Sequence, residues 1–156
     1  MDKESFARQV TALQKSLYRV AASYLSGEAD RLDAVSEAIT KAWAKRDTLR
    51  EPQYFSTWLT RILIRECIAI QRRQRRTTPV ARMPEREKET DDQTRALREA
   101  IARLPQRRST MVVLHYMEGY DVRETARIMG TTKGAVCAGL SRAREALRRE
   151  LGEDRI

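Results

Sequence analysis

Residues 121–136 read DVRETARIMGTTKGAV, and three local signals fall in order along them. Asp121 and Glu124 have the spacing of a capping box: the aspartate accepts from the third N–H of a helix, and the glutamate reaches back to the cap. Gly130 suits the sharp turn that ends that helix. Thr132 is a good N-cap for the next one. A short helix, a turn of about three residues containing glycine, and a longer helix make a helix-turn-helix. The second helix carries Val136, Leu140, Ala143, Leu147 and Leu151 at steps of three or four, an inward-facing stripe. Its outward side then holds Lys133, Cys137, Ala138, Ser141, Arg142 and Glu145, with Arg144 and Arg148 at the flanks. In such a motif the second helix enters the major groove while the first braces it on the backbone. Lysine and arginine on that side neutralise phosphates and release counterions. The alternative is an ordinary antiparallel helix pair with a solvated basic face.

Upstream, Leu97, Ile101 and Leu104 resume a helical period, and Pro105 starts another helix. The run MVVLHYM at 111–117 is apolar nearly all round, which predicts a central core helix. Residues 77–92 show no period and contain Pro79 and Pro84 among mixed charges, the composition of a linker. The N-terminal half is also helical. Phe6, Val10, Leu13, Leu17, Ala21 and Tyr24 line one face, and Gly27 fits a left-handed position just past its end. Leu32, Val35, Ile39 and Trp43 make a second stripe. Pro52 fits the first turn of a third helix, which carries Phe55, Trp58, Leu59, Ile62, Leu63 and Ile70 and ends in Arg72, Arg73, Arg75 and Arg76. The expected fold is all-α: two small helical domains, 1–76 and 93–156, joined by a flexible linker at 77–92. The second is a four-helix domain containing the helix-turn-helix.

Composition narrows the partners. Lys plus Arg number 31 against 22 Asp plus Glu, a net charge of +9 in 156 residues. That excess favours a polyanion, either nucleic acid or an anionic membrane surface. No run of about 18 apolar residues exists, so no membrane insertion is expected. The opening MDKESF has neither a basic nor an apolar leader region, so no signal peptide is expected. Cys67 and Cys137 lie far apart with no CxxC, and the single His115 sits in an apolar run. No metal site or other cofactor is expected, and the plain reading is two reduced cysteines in a cytoplasmic protein.

Residues 97–136, LREAIARLPQRRSTMVVLHYMEGYDVRETARIMGTTKGAV, with the trailing LSRAREALRREL, resemble region 4 of bacterial sigma factors. In the other half, ADRLDAVSEAITKAW is similar to the family's polymerase-binding helix, and FSTWLTRILIRECIAIQRRQRR to its promoter-melting helix. Two domains without further ones resemble the extracytoplasmic-function group. The resemblance implies a protein that binds core RNA polymerase and directs promoter-specific initiation. It catalyses no reaction of its own and is held inactive by an anti-sigma factor.

By position, the resemblance assigns polymerase contact, on the coiled coil called the clamp helices, to Asp33, Val35, Glu37 and Ile39. Val35 and Ile39 are equally plausible as core. It makes residues 49–54 the loop that captures a flipped base of the −10 element. Arg50, Tyr54, Trp58, Arg61, Arg65, Arg72 and Arg73 are then the −10 contacts, with Tyr54 the better stacking candidate, since a melted base stacks on aromatic faces. It assigns duplex contact at the −35 element to Arg123, Thr132, Lys133, Cys137, Ala138, Ser141, Arg142 and Arg144.

Three departures stand out. Arg65 replaces the family's usual asparagine. Ala69 stands where an aspartate is common. Cys137, Ala138 and Gly139 replace a polar and basic trio. Small residues there allow a closer approach or apolar contact with a thymine methyl, and Cys137 is either such a contact, a redox-sensitive thiol or a bystander. Two rival functions differ in class. A stand-alone helix-turn-helix regulator would bind its operator without polymerase. A nucleic-acid enzyme would need a carboxylate cluster for metal or an activated nucleophile, and the chain shows no such constellation beyond Asp30, Asp33 and Glu37 on one helix.

Overall fold

In a computed structural model, residues 1–77 and 91–152 are described. Among them are seven α-helices and no strand. They fall into two compact units, the first built from α1–α3 and the second from α4–α7.

In the first unit α1 spans Lys3–Ala22, α2 Glu28–Ala44 and α3 Phe55–Thr77. Asp2 caps α1 by accepting from the Ser5 N–H at 2.8 Å. Phe6, Val10, Leu17, Val20 and Ala21 bury one face of α1, against Phe55, Leu59, Leu63, Cys67 and Ile70 of α3 and the alanines of α2. Each large apolar side chain buried in this way stabilises the unit by about 1.5–3 kcal/mol. Phe6 ties the three helices together: its ring lies 5.1 Å from that of Trp43 and 5.6 Å from that of Phe55.

Two expectations fail in this unit. Leu32 is 52% exposed. The inward stripe of α2 is instead Arg31, Ala34, Val35, Ala38 and Ala42, one step round the helix from the expected one. Small side chains let α2 lie close on α3, and that packing outweighs the burial of one leucine. Gly27 is not left-handed either. It sits at φ −91°, ψ 138° as the N-cap of α2. The end of α1 closes through Ser23, Tyr24 and Leu25, whose N–H groups reach the carbonyls of Val20 and Ala21, so no left-handed residue is required. Pro52 opens a short 3₁₀ turn, Pro52–Tyr54, that leads into α3.

The second unit comprises α4 (Asp92–Arg103), α5 (Gln106–Val112), α6 (Val122–Met129) and α7 (Lys133–Leu151). Its core is Ala100 and Ile101, Met111 to Leu114, Tyr120, Ala126, Ile128 and the Val136, Leu140, Ala143, Leu147 stripe of α7. Arg103 of α4 bonds Glu150 of α7. The run at 111–117 is only half core. After Val112 the helix widens into a π turn, Val113–Met117, which rotates Tyr116 and Met117 outward to 52% and 45% exposure. Leu97 is likewise 39% exposed. The expected linker falls almost wholly outside the described residues. At its edges, Thr77 closes α3, Asp91 caps α4 and Asp92 begins it.

Candidate nucleic-acid interface

The helix-turn-helix is framed by its own backbone chemistry. Asp121 Oδ1 accepts from the Glu124 N–H at 2.8 Å, and Glu124 Oε1 accepts from the Asp121 N–H at 3.0 Å, so both arms of the capping box are made. The Glu124 N–H is the main reason the Asp121 carboxyl titrates below its ordinary value. Gly130 closes α6 at φ 65°, ψ 40°, while the Thr131 N–H returns to the Ala126 carbonyl at 2.9 Å. Thr132 Oγ1 then caps α7 by accepting from the Ala135 N–H at 3.1 Å. Two helices joined by a turn pinned at both ends present α7 at a fixed angle.

The outward side of α7 carries Lys133, Cys137, Ala138, Ser141, Arg142 and Glu145, all exposed. Arg123 is exposed on α6, and Thr132 at the cap. Arg144 departs from the expected set. It is half-buried and donates to the Tyr116 hydroxyl at 2.7 Å, so its guanidinium is turned toward the π turn rather than along the Cys137–Ser141 side. Gly139 is also not on the outward side. It is buried, and a Cβ there would stand 2.3 Å from Met111 Sδ. Its smallness therefore serves the packing of α7 on α5. Of the unusual trio, only Cys137 and Ala138 face outward.

From Tyr54, which ends the 3₁₀ turn, into α3, the spacing of 54, 58, 61, 65, 69, 72 and 76 follows the helical period along one outward line. Tyr54 is 39% exposed; Trp58 is half-buried; Arg61, Arg65, Ala69, Arg72 and Arg76 are exposed. Trp58 leans on Phe55 with ring centres 5.9 Å apart, so it is partly core and partly surface. An aromatic end thus runs into a basic end on one ridge. Arg50 is exposed in the segment before Tyr54, and Arg73 lies at the flank of the row. That segment is anchored by Arg46, whose guanidinium lies 3.8 Å from the Trp43 ring centre and donates to the Trp43 carbonyl at 2.9 Å. Arg76, the end of the basic run read from the sequence, stands one turn beyond Arg72 on the same line.

The outward face of α2 holds Leu32, Asp33, Ser36, Glu37 and Thr40. Ile39 is half-buried beside it. Of the two readings left open for Val35, its 9% exposure favours the core. Leu32, read from sequence as core, is the apolar residue this acidic face presents. Across α2, Lys41 Nζ meets Glu66 Oε1 of α3 at 2.5 Å. The bond to Glu66 holds the Lys41 ammonium above its ordinary pKa. Among the described residues no group of three His, Cys, Asp or Glu could hold a metal, and no helix is long and apolar enough to cross a membrane.

A two-unit helical chain with a framed helix-turn-helix and an aromatic-basic ridge defines a class of DNA-dependent transcription proteins. Residues 9–77 match sigma-70 region 2, and residues 94–147 match sigma-70 region 4. The RNA polymerase sigma factor SigV of Bacillus subtilis is 30% identical, covering 93% of this chain and 90% of that protein. The ECF RNA polymerase sigma factor SigM of Mycobacterium tuberculosis is 30% identical over 97% of this chain and 79% of its own length. In fold, the chain is similar to the sigma factor RpoE of Bartonella quintana, solved in complex with the anti-sigma factor NepR. That likeness has a TM-score of 0.79 and 24% identity, covering 97% of this chain and 99% of that one. The chain belongs to the sigma-70 family of RNA polymerase sigma factors, in its extracytoplasmic-function group.

Proposed function

We propose that this sigma factor divides initiation between its two units, at 1–76 and 93–156, with 77–92 passing between them. The outward face of α2, through Leu32, Asp33 and Glu37, docks on core RNA polymerase. The outward side of α7 docks on the −35 element as duplex through Lys133, Ser141 and Arg142, with Arg123 bracing the backbone. The ridge of α3 holds the −10 element as a single strand: Tyr54 and the exposed part of Trp58 stack a flipped base, and Arg61, Arg65, Arg72 and Arg73 follow the phosphates.

One observation carries this reading: Tyr54, the exposed part of Trp58, Arg61, Arg65, Arg72 and Arg76 follow a single outward line. Affinity for bases that are free only in the melted state draws strand separation forward, because a ligand shifts an equilibrium by its differential affinity. The chain itself catalyses no bond change and works in the cytoplasm, where polymerase and promoter are. RpoE was solved in complex with an anti-sigma factor, and a partner of that kind, covering these surfaces, is the proposed means of holding this chain inactive.

Reconstitution with core polymerase and a genomic promoter library tests the reading through run-off transcripts. Promoter-specific starts that depend on the chain are expected. Absence of both initiation and core binding would sink it. Tight sequence-specific binding to naked duplex without polymerase would favour a stand-alone regulator.

A further inference from the structure

Among the described side chains of α3, the last buried is Ile70. The helix nevertheless continues through Thr77, and QRRQRRT contains no apolar residue to hold it down. Four of these seven residues are arginines. Arg72 with Arg76, Arg72 with Arg75, and Arg73 with Arg76 stand at i, i+4 and i, i+3, where like charges oppose the helix. The helix dipole favours cations at this end but acts only over the last turn.

Gln71 and Gln74 add what burial does not. Gln71 Nε2 donates to the Tyr24 carbonyl at 2.7 Å, and Gln74 Nε2 donates to Asp30 Oδ2 at 2.6 Å, both part-buried. Gln71 and Gln74 are three apart, so they leave α3 on one side, and Arg72 and Arg76 on another. Their acceptors belong to one corner, the turn from α1 into α2. That corner is itself fixed from within. Arg31, 6% exposed, donates from Nε to the Leu25 carbonyl at 2.7 Å, and its guanidinium lies 5.8 Å from the Tyr18 ring centre.

We infer that Gln71 and Gln74 are positioning residues for DNA: they clamp the arginine-rich end of α3 to the α1–α2 corner, so that Arg72 and Arg76 extend the ridge begun at Tyr54. From Arg61 to Arg76 that ridge runs about 22 Å at about 1.5 Å per residue, long enough for several phosphates. The inference rests on the proposed single-strand role of α3. The glutamines themselves touch no DNA.

The test uses the full chain with Gln71→Ala/Gln74→Ala, and separately Asp30→Ala and Asp30→Asn. In the free protein, amide hydrogen exchange over 72–77 should quicken at least tenfold in the double variant and in Asp30→Ala. Asp30→Asn keeps an oxygen acceptor and should exchange like the native chain. With core polymerase bound, affinity for a pre-melted promoter fork taken from the run-off library is then measured against salt. The slope should fall by about 2 in the double variant, three phosphate contacts (Arg72, Arg73 and Arg76) at about 0.7 each for a single strand. Core affinity should not change.

Unchanged exchange would show that the glutamines do not hold the helix. Faster exchange with an unchanged slope would show that the arginines need no clamp. Either result overturns the inference. A native chain that binds the fork without salt dependence would instead overturn the single-strand reading of α3.

Discussion

Arg142 is exposed on the outward side of α7, while Arg144, two residues on, is held against the Tyr116 hydroxyl. The two therefore separate in a simple experiment. Arg142→Ala should weaken upstream duplex binding across all sequences and reduce the salt slope by about one. Arg144→Ala should leave that slope alone. A loss confined to one base position would mark Arg142 as a base reader instead. Tyr54→Ala should cost about 1–3 kcal/mol in binding a pre-melted −10 strand if a base stacks on it. Equal affinity of the two proteins for that strand would remove Tyr54 from the site.

The two cysteines divide in the same way. Burial pushes the Cys67 thiol up from 9.0 to about 12, with neighbouring Glu66 adding to the shift, whereas Cys137 is exposed. A thiol reagent at neutral pH should label one cysteine rapidly in the folded chain and the second only on unfolding. Since the folded state holds the Cys67 proton more tightly than the unfolded state, this contribution to stability is whole below about pH 9 and is lost as pH rises toward about 12. Denaturant midpoints that stay flat across that window would contradict the burial.

At the scale of elements, the α5–α7 contact turns on Gly139 and Met111. Alanine in place of Gly139 gains about 1 kcal/mol of helix propensity, but its Cβ meets Met111 Sδ in a side chain only 4% exposed. Overpacking of this kind costs about 1–3 kcal/mol, so Gly139→Ala should destabilise the chain. In a Met111→Val background the clash is gone, and the same substitution should stabilise. A denaturation cycle of the four proteins reads the change of sign.

On α2, Leu32→Ser removes an apolar group already half in solvent, so melting should shift little while affinity for core polymerase falls. These elements also show where sequence is a good guide. Asp121, Glu124, Gly130 and Thr132 were legible because caps and turns depend on chemistry within four residues. Leu32, Gly139 and Arg144 were not, because their surroundings come from other helices. The alanines of α2 outcompete a leucine for the core, a methionine of α5 explains a glycine of α7, and a π turn presents the tyrosine that holds Arg144.

For the whole molecule, the net charge of +9 and the helix-turn-helix correctly pointed to nucleic acid, and the order of motifs identified the family. The four-helix second unit and the three-helix first unit follow the apolar period read from the chain. The expected division of labour between the units has a direct consequence. The chain alone should bind naked promoter duplex weakly, and core polymerase should raise the affinity by at least tenfold. Gel shifts with and without core polymerase measure this. Tight binding in its absence would mean that α7 reads sequence unaided.

The two caps and the left-handed glycine around the helix-turn-helix draw on Asp121, Glu124, Gly130 and Thr132, none of which is Cys137, Ala138 or Ser141. The caps and most of the outward side are thus written in separate letters of the chain. Substitution at these three outward positions leaves the caps untouched, so a change of DNA preference there need not cost the fold. The same separation makes α7 a practical place to install a new address. A small library at Cys137, Ala138 and Ser141, selected on altered upstream sequences, would retarget transcription without refolding the protein.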